Sequence, residues 1–266
     1  MIRRFRQMFA PAEREEAPPS AAVPPGERVH AIGDIHGRLD LFDELSAAID
    51  ADDARRGPAD TTVVLLGDLI DRGPDSAGVI AAARAWGERR KVRMLHGNHE
   101  EMFLASFDDT DVLRHFLRYG GKETVLSYRI DRAGYRDLTL EELQQRMRAA
   151  VPQDDLDFLR AAEDAIVIGD YLFVHAGIRP GVPLAEQKPR DLRWIRERFI
   201  AHQGDHGHVV VHGHTITPEV EEMPNRIGID TGAFMSGRLT ALGLQGSERW
   251  YLTARDANAR AEDQAA

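Results

Sequence analysis

Thr62-Val63-Val64-Leu65-Leu66-Gly67-Asp68-Leu69-Ile70-Asp71-Arg72-Gly73 passes directly from a nearly continuous apolar, β-prone run into glycines and charged side chains. An apolar run of this kind suits a strand buried on both faces, and the Gly-Asp segment behind it places polar chemistry at the strand's C-terminal end. The same arrangement recurs on either side. Arg28 to Ile32 leads into Gly33-Asp34-Ile35-His36-Gly37, and Val92 to Leu95 leads into His96-Gly97-Asn98-His99-Glu100. Between these stretches, Leu41, Phe42, Leu45 and Ile49 recur at helical spacing, as do Val79, Ile80 and Ala83 after Asp75, a residue suited to capping a helix. Strand–helix–strand alternation with polar motifs at strand C-ends predicts a largely parallel sheet carrying its site along that edge.

The rest of the chain changes character twice. Residues 101–163 read as mostly helical, with a turn at Tyr119-Gly120-Gly121 and a helix from Gln153 to Glu163 behind Pro152. Ala165 to Ile168 and Tyr171 to Val174 flank Gly169-Asp170, a two-residue turn that predicts a hairpin. Further strands are expected at Val209 to Val211, Arg226 to Asp230, Leu239 to Leu244 and Arg249 to Leu252. There is no internal repeat and no interdomain linker, so residues 27–253 read as one α/β domain. The basic, mildly amphipathic start and the Pro-, Ala- and Glu-rich stretch behind it predict a disordered leader over 1–26. Residues 254–266 read as a flexible tail.

The 266 residues suffice for one large domain, and 42% hydrophobic with 29% charged residues is ordinary globular composition. The net charge of −10 argues against a nucleic-acid partner, since little here would displace counterions from a duplex. It leaves an anionic substrate open, because bound divalent cations reverse the local field. With no cysteine, disulfides, thiolate ligands and a cysteine nucleophile are excluded. No apolar run has the length of a membrane span, so no stable membrane insertion is expected, and a cytoplasmic setting fits.

Asp34 and His36 stand two apart at a strand end and are expected on one side of it. Asp68 can bridge two ions through its two oxygens. Asn98 offers an amide oxygen; His175, in His175-Ala176-Gly177, and His214, in Gly213-His214-Thr215, offer imidazole nitrogens. One ion would take Asp34, His36 and Asp68, the other Asp68, Asn98, His175 and His214. Neither set closes a coordination shell, which leaves room for water and a phosphate oxygen.

These motifs resemble the metallophosphoesterase superfamily, and within it the phosphoprotein-phosphatase family of serine/threonine phosphatases, with bacterial and phage members most similar. GDIHG, GDLIDRG, GNHE, HAG and GHT occur in the family's order, followed by Ile229-Asp230-Thr231-Gly232, between residues 33 and 232. The resemblance implies mixed sheets packed as a sandwich flanked by helices, two divalent ions (manganese, with iron or zinc as alternatives), and in-line attack on phosphorus by a hydroxide bridging them. It also implies that His99 protonates the leaving alkoxide, that Asp71 orients His99, and that Arg72 clamps phosphate; Trp194-Ile195-Arg196 adds Arg196 as a second clamp. A phosphorylated protein is the expected partner. The alternative is hydrolysis of dinucleoside polyphosphates or other small phosphoesters, against which Glu100 is a weak indicator.

One position departs from the pattern. The family usually carries arginine before Gly-Asn-His-Glu, where this chain has His96. Losing a charge-assisted bond there weakens phosphate binding by roughly 1.5–3 kcal/mol, unless a protonated His96 substitutes. Elsewhere, His30 reads as structural and His115, His202, His206 and His208 as surface or loop residues. His212 shares a strand face with His214 but is left out of the metal set, and Asp230 reads as support behind a ligand. Arg146 to Arg148 and Glu219 to Glu222 read as solvated faces.

Overall fold

The structure, a computed structural model, describes residues 21–130 and 134–265; residues 1–20 of the expected leader and Ala266 of the expected tail lie outside the described residues. Ten strands are placed: β1 (Glu27–Ile32), β2 (Asp60–Leu65), β3 (Lys91–Met94), β4 (Ile166–Ile168), β5 (Tyr171–Phe173), β6 (Val209–His212), β7 (Glu221–Met223), β8 (Arg226–Gly228), β9 (Arg238–Gln245) and β10 (Glu248–Arg255). They form two five-stranded sheets, ordered β10-β9-β1-β2-β3 and β4-β5-β6-β8-β7.

Both sheets are mixed. β1, β2 and β3 run parallel, as the sequence predicts, but β9 and β10 return antiparallel on the other side of β1. In the second sheet β5, β6 and β8 are parallel, and β4 and β7 close its edges antiparallel. Strand alternation divides the core. With Val29 and Ala31 of β1, Val64 and Leu66 face the second sheet, where they meet Phe173, Val211 and Ile227. Val63 and Leu65 face outward onto the helices. Burying each such side chain stabilises by about 1.5–3 kcal/mol, and a one-residue slip would exchange the two faces.

The helices α1 (Leu39–Arg56), α2 (Ser76–Gly87), α3 (Asn98–Ala105), α4 (Thr110–Phe116), α5 (Lys122–Ser127), α6 (Leu140–Ala150) and α7 (Gln153–Arg160) follow in order before β4. They supply Leu41, Phe42, Val79, Phe103, Phe116 and Leu159 to the core on the outer face of the first sheet. Asp75 caps α2, its Oδ1 accepting from Gly78 N at 2.8 Å. The expected break at Tyr119–Gly121 is real: Gly120 has φ +104° where α4 gives way to α5. The short helices α8 (Pro189–Trp194) and α9 (Glu197–Ile200) cover the outer face of the second sheet with Leu192 and Phe199. Among the described residues two further α-helices are α10 (Ala233–Ser236) and α11 (Ala257–Ala265).

Several expectations are corrected. The helix predicted to reach Glu163 ends at Arg160, and Glu163 instead pairs in parallel with Leu95. Glu221 and Glu222 are not simply a solvated face; they open β7 and pair with Arg226 and Arg249. Met147 is fully buried between exposed arginines. Residues 21–26, assigned to the leader, are held to the second sheet and the β9–β10 turn. Ala22 N donates to Asp170 Oδ2 at 2.9 Å, Val23 N donates to Gly246 O at 3.0 Å, and Val23 is buried. At the other end β10 runs to Arg255, and α11 occupies the stretch expected to be a flexible tail. His30 is buried in β1 beside Asp52 and Trp250.

Candidate metal centre

The parallel strands β1, β2 and β3 end side by side, so their three polar motifs meet at one edge. β5 and β6 deliver His175 and His214 from the second sheet, and His214 N donates to both oxygens of Asp34, at 3.2 and 3.1 Å. The strand-alternation argument for Asp34 and His36 does not hold. β1 ends at Ile32, and His36 sits in the left-handed region at φ +47°. Likewise β6 ends at His212 and His214 has φ +62°, so the two are not on one strand face; the His212 ring packs edge-on against Phe199 instead. Turns, not strands, aim these ligands. The turns close tightly enough that a Cβ on Gly97 would lie 2.2 Å from Asp68 Oδ1, and one on Gly213 would lie 2.0 Å from Asp34 Oδ1.

Backbone carbonyls fix the histidine tautomers. His36 Nδ1 donates to Ile70 O at 2.7 Å and His175 Nδ1 donates to Leu66 O at 2.9 Å, so each turns an Nε2 lone pair inward. Asp68 lies between them, its Oδ2 3.7 Å from His36 Nε2 and its Oδ1 3.5 Å from His175 Nε2. Ligand atoms of His36, Asp68 and His99 lie within 4.8 Å of one another, and so do those of Asp68, His175 and His214, with Asp68 common to both groups. Asn98 Oδ1 is 3.0 Å from His175 Nε2. Both are lone-pair atoms, and a shared cation relieves their repulsion.

The electrostatics point the same way. Burial pushes the Asp34 carboxyl well above the usual range, and the neighbouring Asp230 and Asp68 carboxylates add to it. Burial also raises Asp230, to about 6, and it stands beside Asp34 with its Oδ1 accepting from Gly232 N at 2.9 Å. Burial alone would raise Asp68 too, but His175, His99 and His36 outweigh it and hold that carboxyl well below the usual range. His36 and His175 are lowered by burial and so favour the neutral, ligating form. Buried carboxylate oxygens and neutral imidazole nitrogens around one shared aspartate form a donor set that fits divalent cations.

His99 opens the second part of the site. Its Nδ1 donates to Asp71 Oδ2 at 2.5 Å and its backbone N donates to Asp68 Oδ1 at 3.0 Å. Burial lowers its pKa, but Asp68 and Asp71 outweigh burial and leave it above the ordinary histidine value. Arg72 reaches over the cluster, with Nη1 2.6 Å from His36 Nε2 and Nη2 2.9 Å from His99 Nε2. Its guanidinium lies 4.8 Å from the Phe234 ring centre, and its backbone N donates to Gly120 O at 3.0 Å. On the opposite side, Arg196 Nε donates to His214 Nε2 at 3.0 Å. Every residue expected at the site therefore comes to one place: Asp34, His36, Asp68, Asn98, His175, His214, His99, Asp71, Arg72 and Arg196.

Two readings change. Glu100 is fully buried and faces backbone, not solvent: it accepts from Asp68 N, Leu69 N and Gly97 N at 2.9, 2.8 and 3.1 Å. Its carboxylate is therefore engaged with the backbone of the two motifs it joins. His96 is not a replacement cation, because burial and the nearby Arg193 hold it down to about 4. Sequence reasoning missed Ser76, Thr124 and Phe234. Thr124 lies just behind the Gly120-Gly121 break and Phe234 just behind Asp230-Thr231-Gly232, but only tertiary structure brings them here. Beside the cluster, Met102, Ala105, Val112, His115 and Trp194 line a groove of about 440 Å³ with Glu101 and Asp111 in its wall. Trp194 lies 6.5 Å, ring to ring, from His214.

Known proteins carry the same framework. The sequence profile of the family described as "Calcineurin-like phosphoesterase" matches residues 27–236. Serine/threonine-protein phosphatase 1 of Salmonella typhimurium is 31% identical over 82% of this chain and 92% of its own length. The symmetrical bis(5'-nucleosyl)-tetraphosphatase of Acidovorax sp. is 29% identical over 66% of this chain and 49% of its own, so this chain spans about half that relative's length. The asymmetrical bis(5'-nucleosyl)-tetraphosphatase PrpE of Anoxybacillus flavithermus is 26% identical over 79% and 88%. Among solved structures, one provisionally named a diadenosine tetraphosphatase superposes with a TM-score of 0.61 at 22% identity, over 90% of this chain and 100% of that one. A cold-active protein tyrosine phosphatase variant does so at 0.55 and 18%, over 88% and 83%. At those identities the structures speak for the fold alone. The chain belongs to the calcineurin-like metallophosphoesterase family.

Proposed function

We propose that this chain is a metal-dependent phosphomonoesterase acting on phosphorylated serine and threonine side chains of proteins, with Asp34, His36, Asp68, Asn98, His175 and His214 holding two divalent ions. The observation that carries the reaction class is the His99–Asp71 pair set against a shared-aspartate cluster, with one arginine on each side of it. When bound, such ions supply an activated water and neutralise phosphate charge. The chain's own groups do the rest. Asp71 accepts the His99 Nδ1 proton and favours the imidazolium form, whose Nε2–H is the proton given to the departing alkoxide, leaving a neutral imidazole. To do so His99 exchanges its Arg72 contact for the leaving oxygen, which frees the guanidinium fork for two phosphate oxygens. Arg196 takes the opposite side.

For the substrate, the Salmonella relative carries a protein-phosphatase name and is matched over nearly its whole length. The groove beside His214 suits an apolar or basic peptide side chain, because Glu101 and Asp111 in its wall disfavour additional negative charge. The second reading, hydrolysis of dinucleoside polyphosphates, is favoured by the names of the Acidovorax and Anoxybacillus relatives. Specificity constants for phosphoserine, phosphothreonine and phosphotyrosine peptides, measured with manganese beside diadenosine tetraphosphate, separate the two. Higher kcat/KM for the dinucleotide overturns the protein-phosphatase assignment.

A further inference from the structure

Asp71 is held by more than His99. Its Oδ2 is taken by His99 Nδ1, while its Oδ1 accepts from Thr124 Oγ1 at 2.5 Å. Its backbone N–H is shared between the same Thr124 oxygen, at 2.9 Å, and Ser76 Oγ at 3.0 Å. Ser76 Oγ and Thr124 Oγ1 are 2.9 Å apart. One assignment of hydrogens satisfies every contact: Ser76 donates to Thr124, Thr124 donates to Asp71 Oδ1, and both hydroxyls accept from Asp71 N. Ser76, Asp71 and Thr124 are all fully buried, so water does not compete. Asp71 needs this hold, because it sits at φ +76°, which costs an aspartate energy unless its surroundings enforce it.

We infer that Thr124, backed by Ser76, is a positioning residue for the reaction: it fixes the backbone and carboxylate of Asp71 and through them the orientation of the His99 imidazole. Thr124 touches neither the cluster of ligand atoms nor the phosphate clamps, and it reaches the reacting atoms only through the chain Thr124–Asp71–His99. It also comes from α5, a helix separated from the Asp71 turn by more than fifty residues, so α5 reaches His99 through a single hydroxyl.

The inference rests on the reading of His99 as the proton donor, and the test separates the two. Thr124→Val removes the hydroxyl at constant shape, Thr124→Ser restores it, and Thr124→Ala serves if the valine variant does not fold. With manganese, kcat for phenyl phosphate, whose leaving group needs a proton, is expected to fall about 10–100-fold in Thr124→Val, the usual effect of removing a residue that orients another. For 2,4-dinitrophenyl phosphate, whose leaving group needs none, the fall is less than about threefold, and Thr124→Ser recovers both. Proton NMR of the protein without added metal gives an activity-free readout. The downfield His99 Nδ1 proton, identified by its absence in His99→Ala, should shift or broaden in Thr124→Val and return in Thr124→Ser. Equal losses on both substrates, or an unmoved proton, overturn the role of Thr124. If His99→Ala itself loses equally on both substrates, the proton-donor reading falls, and this inference with it.

Discussion

Glu100 shows how much a single buried carboxylate organises. Its two oxygens accept from three backbone N–H groups belonging to two different motifs, so it locks the Asp68 turn to the start of α3. Burial and the nearby Asp68 carboxylate push its pKa up to about 8, against the pull of those N–H groups. Glu100→Ala leaves three buried donors without partners, at about 1–3 kcal/mol each when unrelieved. A loss of roughly 3–5 kcal/mol in urea unfolding is expected, and a loss below about 1 kcal/mol would show that the turn does not depend on this residue. His96 poses the converse question of a missing charge. His96→Arg should lower the inhibition constant of inorganic phosphate about tenfold, the scale of one charge-assisted bond. Unchanged or weaker inhibition would place the lost arginine's role elsewhere.

At the scale of elements, the joint between α4 and α5 controls Arg72. Gly120 adopts φ +104°, and a Cβ there would stand 2.6 Å from Arg72 Cγ and 2.8 Å from Arg72 N. Gly120→Ala should therefore displace the guanidinium, costing roughly 1–3 kcal/mol of stability through the left-handed backbone. It should also raise KM for phosphopeptides more than it lowers kcat; kcat/KM within twofold of the unmodified enzyme counts against that coupling. The same joint shows where sequence reading reached and where it stopped. Tyr119-Gly120-Gly121 is legible as a break because glycine marks it, and β1 to β3 are legible because their apolar runs end in polar motifs. The candidate ligands that meet in the cluster were legible by type and order. Their aim was not, since His36 and His214 point inward through left-handed turns that leave no two- or 3.6-residue period. Thr124 and Phe234 left no local signal because their partners lie tens of residues or more away, and Ser76, though five residues from Asp71, is tied to Thr124 across 48. β7 escaped notice because three residues with two glutamates have no apolar alternation; its place in the sheet follows from pairing with β8.

The whole molecule is a sandwich whose two sheets each contribute ligands, so whatever bridges the cluster also ties the sheets together. Asp34 and Asp68 come from the first sheet, His175 and His214 from the second. Buried carboxylates that raise one another's pKa are a cost to the folded chain that bound cations remove. Free manganese at 100 times its dissociation constant should add about 2.7 kcal/mol to unfolding free energy, seen as a rise in Tm that EDTA reverses. A Tm indifferent to both additions would mean that the cluster holds no cation in the folded state. His212→Ala, outside the cluster, should leave the manganese-dependent increment intact. Among the described residues no helix is long and apolar enough to cross a membrane.

Six non-glycine residues among those described have positive φ, and five of them are His36, Asp68, Asp71, Arg72 and His214. Each would rest more easily as glycine, by about 1 kcal/mol. A population of variants sorted for heat resistance alone would thus drift toward glycine at the very positions that carry the chemistry, Arg72 and His36 first. The sequence motifs by which this family is known would erode under such sorting. The backbone alone does not favour these residues; the cluster they build is what accounts for them.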